Sequence, residues 1–156
     1  MRQDNNMQML KVSRMHKFCQ RWLEFVAIMH IAGGVALTLH FPEAVWTYYQ
    51  GELFSVFSVN TSAINEVKSM VDMLVRIFGP TVASWGIMML YLIKRISIHQ
   101  DKGATFILTI AVLVWFTLDT SLSLLNGMTL HLVLNSSALV AILFPVYWLN
   151  AKVQNE

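Results

Sequence analysis

The chain has 156 residues, 56% of them hydrophobic and only 13% charged, with a net charge of +2 at neutral pH and a mean hydropathy of +0.54. Soluble domains carry about 25% charged residues, so this composition excludes an ordinary water-soluble domain, and the absence of a basic stripe excludes a nucleic-acid partner. The single cysteine, Cys19, excludes an internal disulfide, a CxxC redox pair and a cysteine-based zinc cage.

Residues 1–21 are polar and basic, and Met7, Leu10, Met15, Phe18 and Trp22 recur at roughly helical spacing. This pattern predicts a short amphipathic helix lying on the cytoplasmic leaflet. Cys19 falls at its edge, where an inert interfacial thiol is expected and palmitoylation is the alternative. No small-x-small cleavage site follows the first apolar run, which predicts a retained anchor helix and not a removed signal peptide.

The first span is expected at 22–40. Glu24 stands near its start, within reach of Arg21 or Lys17, and His30, Gly33, Gly34, Leu37 and His40 share one small, polar face. The glycine pair there predicts close helix packing. Residues 41–71 then read as an outer loop whose charges are mostly acidic (Glu43, Glu52, Glu66) and which is rich in Trp, Tyr and Phe. Such residues favour the membrane interface, so the loop is expected to lie back on the bilayer as one or two short helices. Asn60-Thr61-Ser62 reads as the start of a helix over 63–71. A loop this long in so small a chain is a candidate lid or partner surface.

A second span is expected at 72–95. It is apolar from Met73 to Ile93 apart from Arg76, about one turn inside its first end. Asp72, Arg76, Gly79, Ala83 and Gly86 fall on one face, and Pro80 predicts a bend one turn beyond Arg76. After a cytoplasmic loop at 96–103, a third span at 104–125 places Trp115, Asp119 and Ser123 at i, i+4, i+8. Asn126-Gly127 makes a tight turn at 126–128. The fourth span, 129–149, opens with His131 and Asn135 at i, i+4 and leaves the membrane near Pro145 and Trp148, followed by a tail at 150–156.

The whole is an all-α polytopic membrane protein, a bundle of four transmembrane helices. Nine of the eleven Lys and Arg residues lie before the first span, between spans two and three, or in the tail. By the positive-inside rule both termini face the cytoplasm, and a bacterial inner membrane is the expected location. Counting depth at ~1.5 Å per residue puts Arg76, Asp119, His131, Asn135 and His40 in the outer half of the bundle, against an almost wholly apolar inner half.

An ion pair between Arg76 and Asp119 is therefore expected, because a bare charge at mid-membrane costs at least ~2.5–3.5 kcal/mol. Two functions fit such a cluster. In the first, polar groups satisfy one another and fix helix register in an accessory or scaffold protein packed on another membrane protein or on copies of itself. In the second, Arg76, Asp119, His131, Asn135, His40 and Trp115 line an outward-facing pocket for a small molecule, lipid headgroup or quinone. Haem fits less well, because His40 and His131 share a depth while His30 has no histidine opposite it. Proton-coupled export through Glu24 would need that acid deeper in the membrane. No catalytic residue, metal set or cofactor is expected, and the helix-packing set is Gly33, Gly34, Gly79, Ala83 and Gly86.

Arg76-x-x-Gly79, Trp85-Gly86 and a third-helix end bearing Asp119 and Ser123 resemble the small four-helix inner-membrane proteins of the DoxX and BphX-like type. The resemblance is architectural, over about residues 22–150. It implies a four-helix membrane fold and, for some members, respiratory or redox partners. The long aromatic outer loop departs from that plan.

Overall fold

The structure, a computed structural model, describes residues 2–39, 47–48, 50–51, 53–54 and 64–151, with side chains described from 14 to 39, at those loop residues, and from 67 to 150. Among the described residues there are four long helices: α1 Arg2–Leu39, α2 Ile64–His99, α3 Lys102–Leu125 and α4 Thr129–Ala151. No strand occurs among the described residues. Each helix contains a segment long and apolar enough to cross a membrane: Arg14–Leu39, Val67–His99, Lys102–Leu125 and Thr129–Asn150.

The packing argues for lipid as strongly as the hydropathy does. Only 17–28% of the residues in the most apolar windows of these helices are buried inside the bundle. Large apolar side chains on all four helices face outward, among them Phe25, Ile77, Tyr91, Phe106, Leu118 and Phe144. A water-soluble protein rarely tolerates a contiguous apolar surface of this extent, whereas the hydrocarbon of a bilayer covers it without penalty.

Two helices are longer than the sequence pattern suggests. A single helix α1 runs through both the basic lead and the first span, so residues 2–21 do not form a separate segment turned onto the leaflet. Residues 64–71, expected as a short helix of the outer loop, instead extend α2, and α2 continues through Pro80 to His99. The loop expected at 96–103 shrinks accordingly to Gln100 and Asp101. Gln100 has φ 53° and its N–H donates to Ile96 O at 3.1 Å, ending α2 in the left-handed manner usual for a helix C-terminus. Asp101 caps α3: its side chain accepts from the Ala104 N–H at 3.1 Å, and Arg95 of α2 donates to the same carboxylate at 2.6 and 3.0 Å. The Ala104 amide and Arg95 together hold the Asp101 carboxyl below its usual range.

The α3–α4 turn is the one expected. Gly127 has φ +69°, the Met128 N–H donates to Ser123 O at 2.9 Å and the Gly127 N–H to Leu124 O at 3.2 Å. These two bonds make a Schellman cap, with glycine at the left-handed position. The aromatic loop was expected as interfacial helix, and its described residues, Thr47, Tyr48, Gln50, Gly51, Leu53 and Phe54, are helical. Tyr48 is exposed and Gln50 is buried. The helix start expected at 60–62 lies outside the described residues.

The helices form a ring in which α1 packs on α2 and α4, and α3 packs on α2 and α4. The α1–α2 seam is the tightest, and glycine makes it so. A Cβ on Gly34 would fall against the backbone of Ala83 and 2.5 Å from Gly79 O; one on Gly86 would lie 2.8 Å from Ala27 O and Ile31 N. Small residues at these positions let antiparallel backbones approach closely, which in lipid replaces the missing hydrophobic drive between helices. Of the five expected packing residues, Gly34, Gly79, Ala83 and Gly86 lie in this seam, while a Cβ on Gly33 meets nothing within 4 Å.

Toward the α2–α3 turn the ring is filled. Cys19, Leu23 and Ala27 of α1, Met89, Ile93 and Ile96 of α2, Ala104, Leu108 and Val112 of α3, and Ile142, Val146 and Leu149 of α4 form one buried cluster. Each triplet follows the i, i+3/i+4, i+7/i+8 rule, so each helix turns one stripe inward. Cys19 belongs to this core and is 1% exposed, so lipidation of the thiol is disfavoured in this conformation.

A cavity between the four helices

Toward the α3–α4 turn the ring does not close. A half-open cavity of ≈ 540 Å³ lies there, lined from every helix: His30 of α1, Phe78, Thr81, Val82 and Trp85 of α2, Ala111, Val112, Trp115 and Asp119 of α3, and His131, Leu134, Asn135 and Ile142 of α4. Small-molecule sites have volumes of about 300–1,000 Å³ and combine mostly apolar walls with a few polar groups; this cavity has both properties.

The polar groups are held from beneath by their own helices. Ser123 Oγ donates to Asp119 O at 2.8 Å. The Asn135 amide is 6% exposed and donates both to Asp119 Oδ2 and, at 3.3 Å, to Thr120 Oγ1. Asn135 therefore binds α4 to α3 and fixes the Asp119 carboxylate at the cavity wall. His30 Nδ1 lies 2.8 Å from Val26 O. A carbonyl only accepts, so Nδ1 carries the proton, and in the neutral ring Nε2 is left as an acceptor.

Of the six expected ligand-binding residues, the structure brings four together: Trp115, Asp119, His131 and Asn135 all line the cavity. His40 lies outside the described residues. Arg76 is the correction. It does not pair with Asp119; its Nε lies 2.8 Å from Asp72 Oδ2, one turn back on its own helix, and its side chain is 43% exposed. The reason is rotational. Arg76 shares a face with Gly79, Ala83 and Gly86, and that face is turned onto α1, whereas Asp119 looks into the space lined by the Phe78–Trp85 face of α2. Glu24 likewise accepts from Gln20 Nε2 at 2.9 Å and not from Arg21 or Lys17.

Sequence reasoning missed His30 and Trp85 as wall residues. The signal was available for His30, which stands ~13 Å from the end of α1, a depth close to that of Asp119 on α3; no pattern marked Trp85. It also missed the Trp22 Nε1–H bond to Ala141 O at 2.9 Å, which ties α1 to α4. Among the described residues no three His, Cys, Asp or Glu side chains gather as a metal site. Compared with family models, with curated proteins and with solved structures, the chain matches none; the functional reading therefore rests on the cavity itself.

Proposed function

We propose that this protein binds a small, largely apolar molecule within the membrane, in the cavity between its four helices. The observation that supports this is the division of the bundle: one half is filled by twelve interlocking side chains, the other holds ≈ 540 Å³ of space walled by two tryptophans and a fixed carboxylate. A bundle whose polar groups served only to set helix register would gain by closing that space, since unfilled volume forfeits dispersion contacts along its walls. The basic residues of the α1 lead and the α2–α3 turn favour both termini in the cytoplasm, which opens the cavity to the outer half of a bacterial inner membrane. An active reporter after Glu156 that requires the periplasm would overturn that orientation.

Native mass spectrometry of the protein released gently from its own membrane tests the binding. A stoichiometric small-molecule adduct is expected, and Ala111→Trp, which fills the cavity, should remove it while the protein remains folded. A protein released bare but with a stoichiometric membrane-protein partner, or as a bare homo-oligomer, would refute ligand binding in favour of an accessory or scaffold role.

A further inference from the structure

Resting on that ligand-binding reading, we infer that the occupant is an apolar organic cation: an ammonium or comparable positive centre carried on a hydrophobic body. Once Arg76 is accounted for, a negative charge is left on the cavity wall. Asp119 is the one carboxylate among the described lining residues, and no Lys or Arg is among them. The cation that sequence depth assigned to Asp119 is engaged with Asp72 on its own helix. Among the described residues, what Asp119 receives is the neutral amide of Asn135. A neutral donor orients a carboxylate but does not balance its charge, and an unbalanced charge away from water is costly.

The rest of the lining supplies what a cation needs and an anion does not. Trp85 of α2 and Trp115 of α3 line the same cavity as Asp119, and indole is the strongest aromatic partner for a cation, worth more once water is excluded. A carboxylate in a tryptophan-lined cavity is selective by sign: it attracts a positive centre and repels a negative one. His30, with its Nδ1 proton engaged by Val26 O, offers an Nε2 acceptor and no competing donor in its neutral form.

Acid must oppose this binding. The titratable groups facing the cavity are His30 from α1, Asp119 from α3 and His131 from α4, with none from α2 among the described residues. Protonation of any of the three moves the wall toward positive charge, so all three act in the same direction. A proton and an organic cation thus compete for one site.

The test uses three bulky aromatic probes of different charge with the purified protein in neutral maltoside micelles: methyltriphenylphosphonium, neutral triphenylphosphine oxide and tetraphenylborate anion. The phosphonium is expected to bind at one per protein, more weakly as pH falls. Asp119→Asn should weaken it by roughly ten- to a hundredfold, the scale of a lost charged partner. Thr81→Lys, which adds a positive charge to the wall without touching the Asp119–Asn135 pair, should abolish phosphonium binding and admit the borate; it keeps the test decisive if Asp119→Asn folds poorly. Equal binding of the phosphonium and the neutral oxide, both lost in Ala111→Trp, would overturn the cation inference while leaving the pocket in place. Binding of no probe would overturn the pocket as well. Phosphonium binding displaced by added phosphatidylethanolamine would identify the cation as a lipid ammonium headgroup, and binding indifferent to it would identify a free cation.

Discussion

Two neighbouring glycines should respond to the same substitution with opposite signs. At Gly34 an added methyl meets only backbone: Ala83 N, Gly79 O at 2.5 Å and Ala83 Cα at 2.9 Å. Ordinary contacts between carbon atoms lie at about 3.5–4.0 Å, and no side-chain rotation can relieve a clash with a neighbouring helix's backbone. The α1 and α2 axes must therefore part by roughly 1 Å, which loosens the whole seam through Gly79, Ala83 and Gly86. Overpacking of this kind costs about 1–3 kcal/mol. At Gly33 the methyl meets nothing within 4 Å, so Gly33→Ala should be neutral or should stabilise by up to ~1 kcal/mol, the difference in helix propensity. That gain is smaller in a bilayer, where separated helices stay helical. Unfolding in mixed micelles of rising SDS content, followed by tryptophan fluorescence, gives both values. Finding Gly34→Ala within ~0.5 kcal/mol of Gly33→Ala would refute the close seam and with it the rotation of α2 that separates Arg76 from Asp119.

Further expectations concern polar contacts. In double-mutant cycles, Asp119→Ala and Asn135→Ala should couple by about 0.6 kcal/mol, the average for intramembrane hydrogen bonds, whereas Arg76→Ala and Asp119→Ala should add within ~0.5 kcal/mol; a strong Arg76–Asp119 coupling would contradict the geometry. Trp22→Phe should cost about 0.5–1.5 kcal/mol by removing the donor to Ala141 O; an unchanged unfolding midpoint would show that this bond adds nothing. Asp101 carries the pH dependence of the α2–α3 turn. Its folded pKa is depressed by the Ala104 N–H and Arg95, so its stabilisation is present at neutral pH and is lost as pH falls below about 4 through the folded value. The stability gap between wild type and Asp101→Ala should be constant from about pH 5 to 8 and should narrow in stronger acid; a gap that widened in acid would reverse the assignment.

Features that depend only on neighbours along the chain were legible before any packing was known. Unbroken hydropathy placed four membrane helices, and Asn126-Gly127 placed the α3–α4 turn, because both follow from the local cost of exposing backbone or of adopting positive φ. The polar-to-apolar division along the bundle was legible for the same reason, since depth is simply helix rise. Where periodic segments joined end to end, at residues 1–21 with the first span and at 64–71 with the second, composition changed but helix did not, because a helix continues wherever no residue stops it. Partners, by contrast, follow from how the helices pack. Asp119 was the acid expected for Arg76. Asp72, on its own helix, is in reach at any rotation, whereas Asp119 would need α2 to turn the Arg76 face inward. Gly79, Ala83 and Gly86 commit that face to α1. The same rotation puts Trp85 on the wall of the cavity that Asp119 also lines, so the cavity and its charge follow from how one helix is turned, which hydropathy along the chain does not encode.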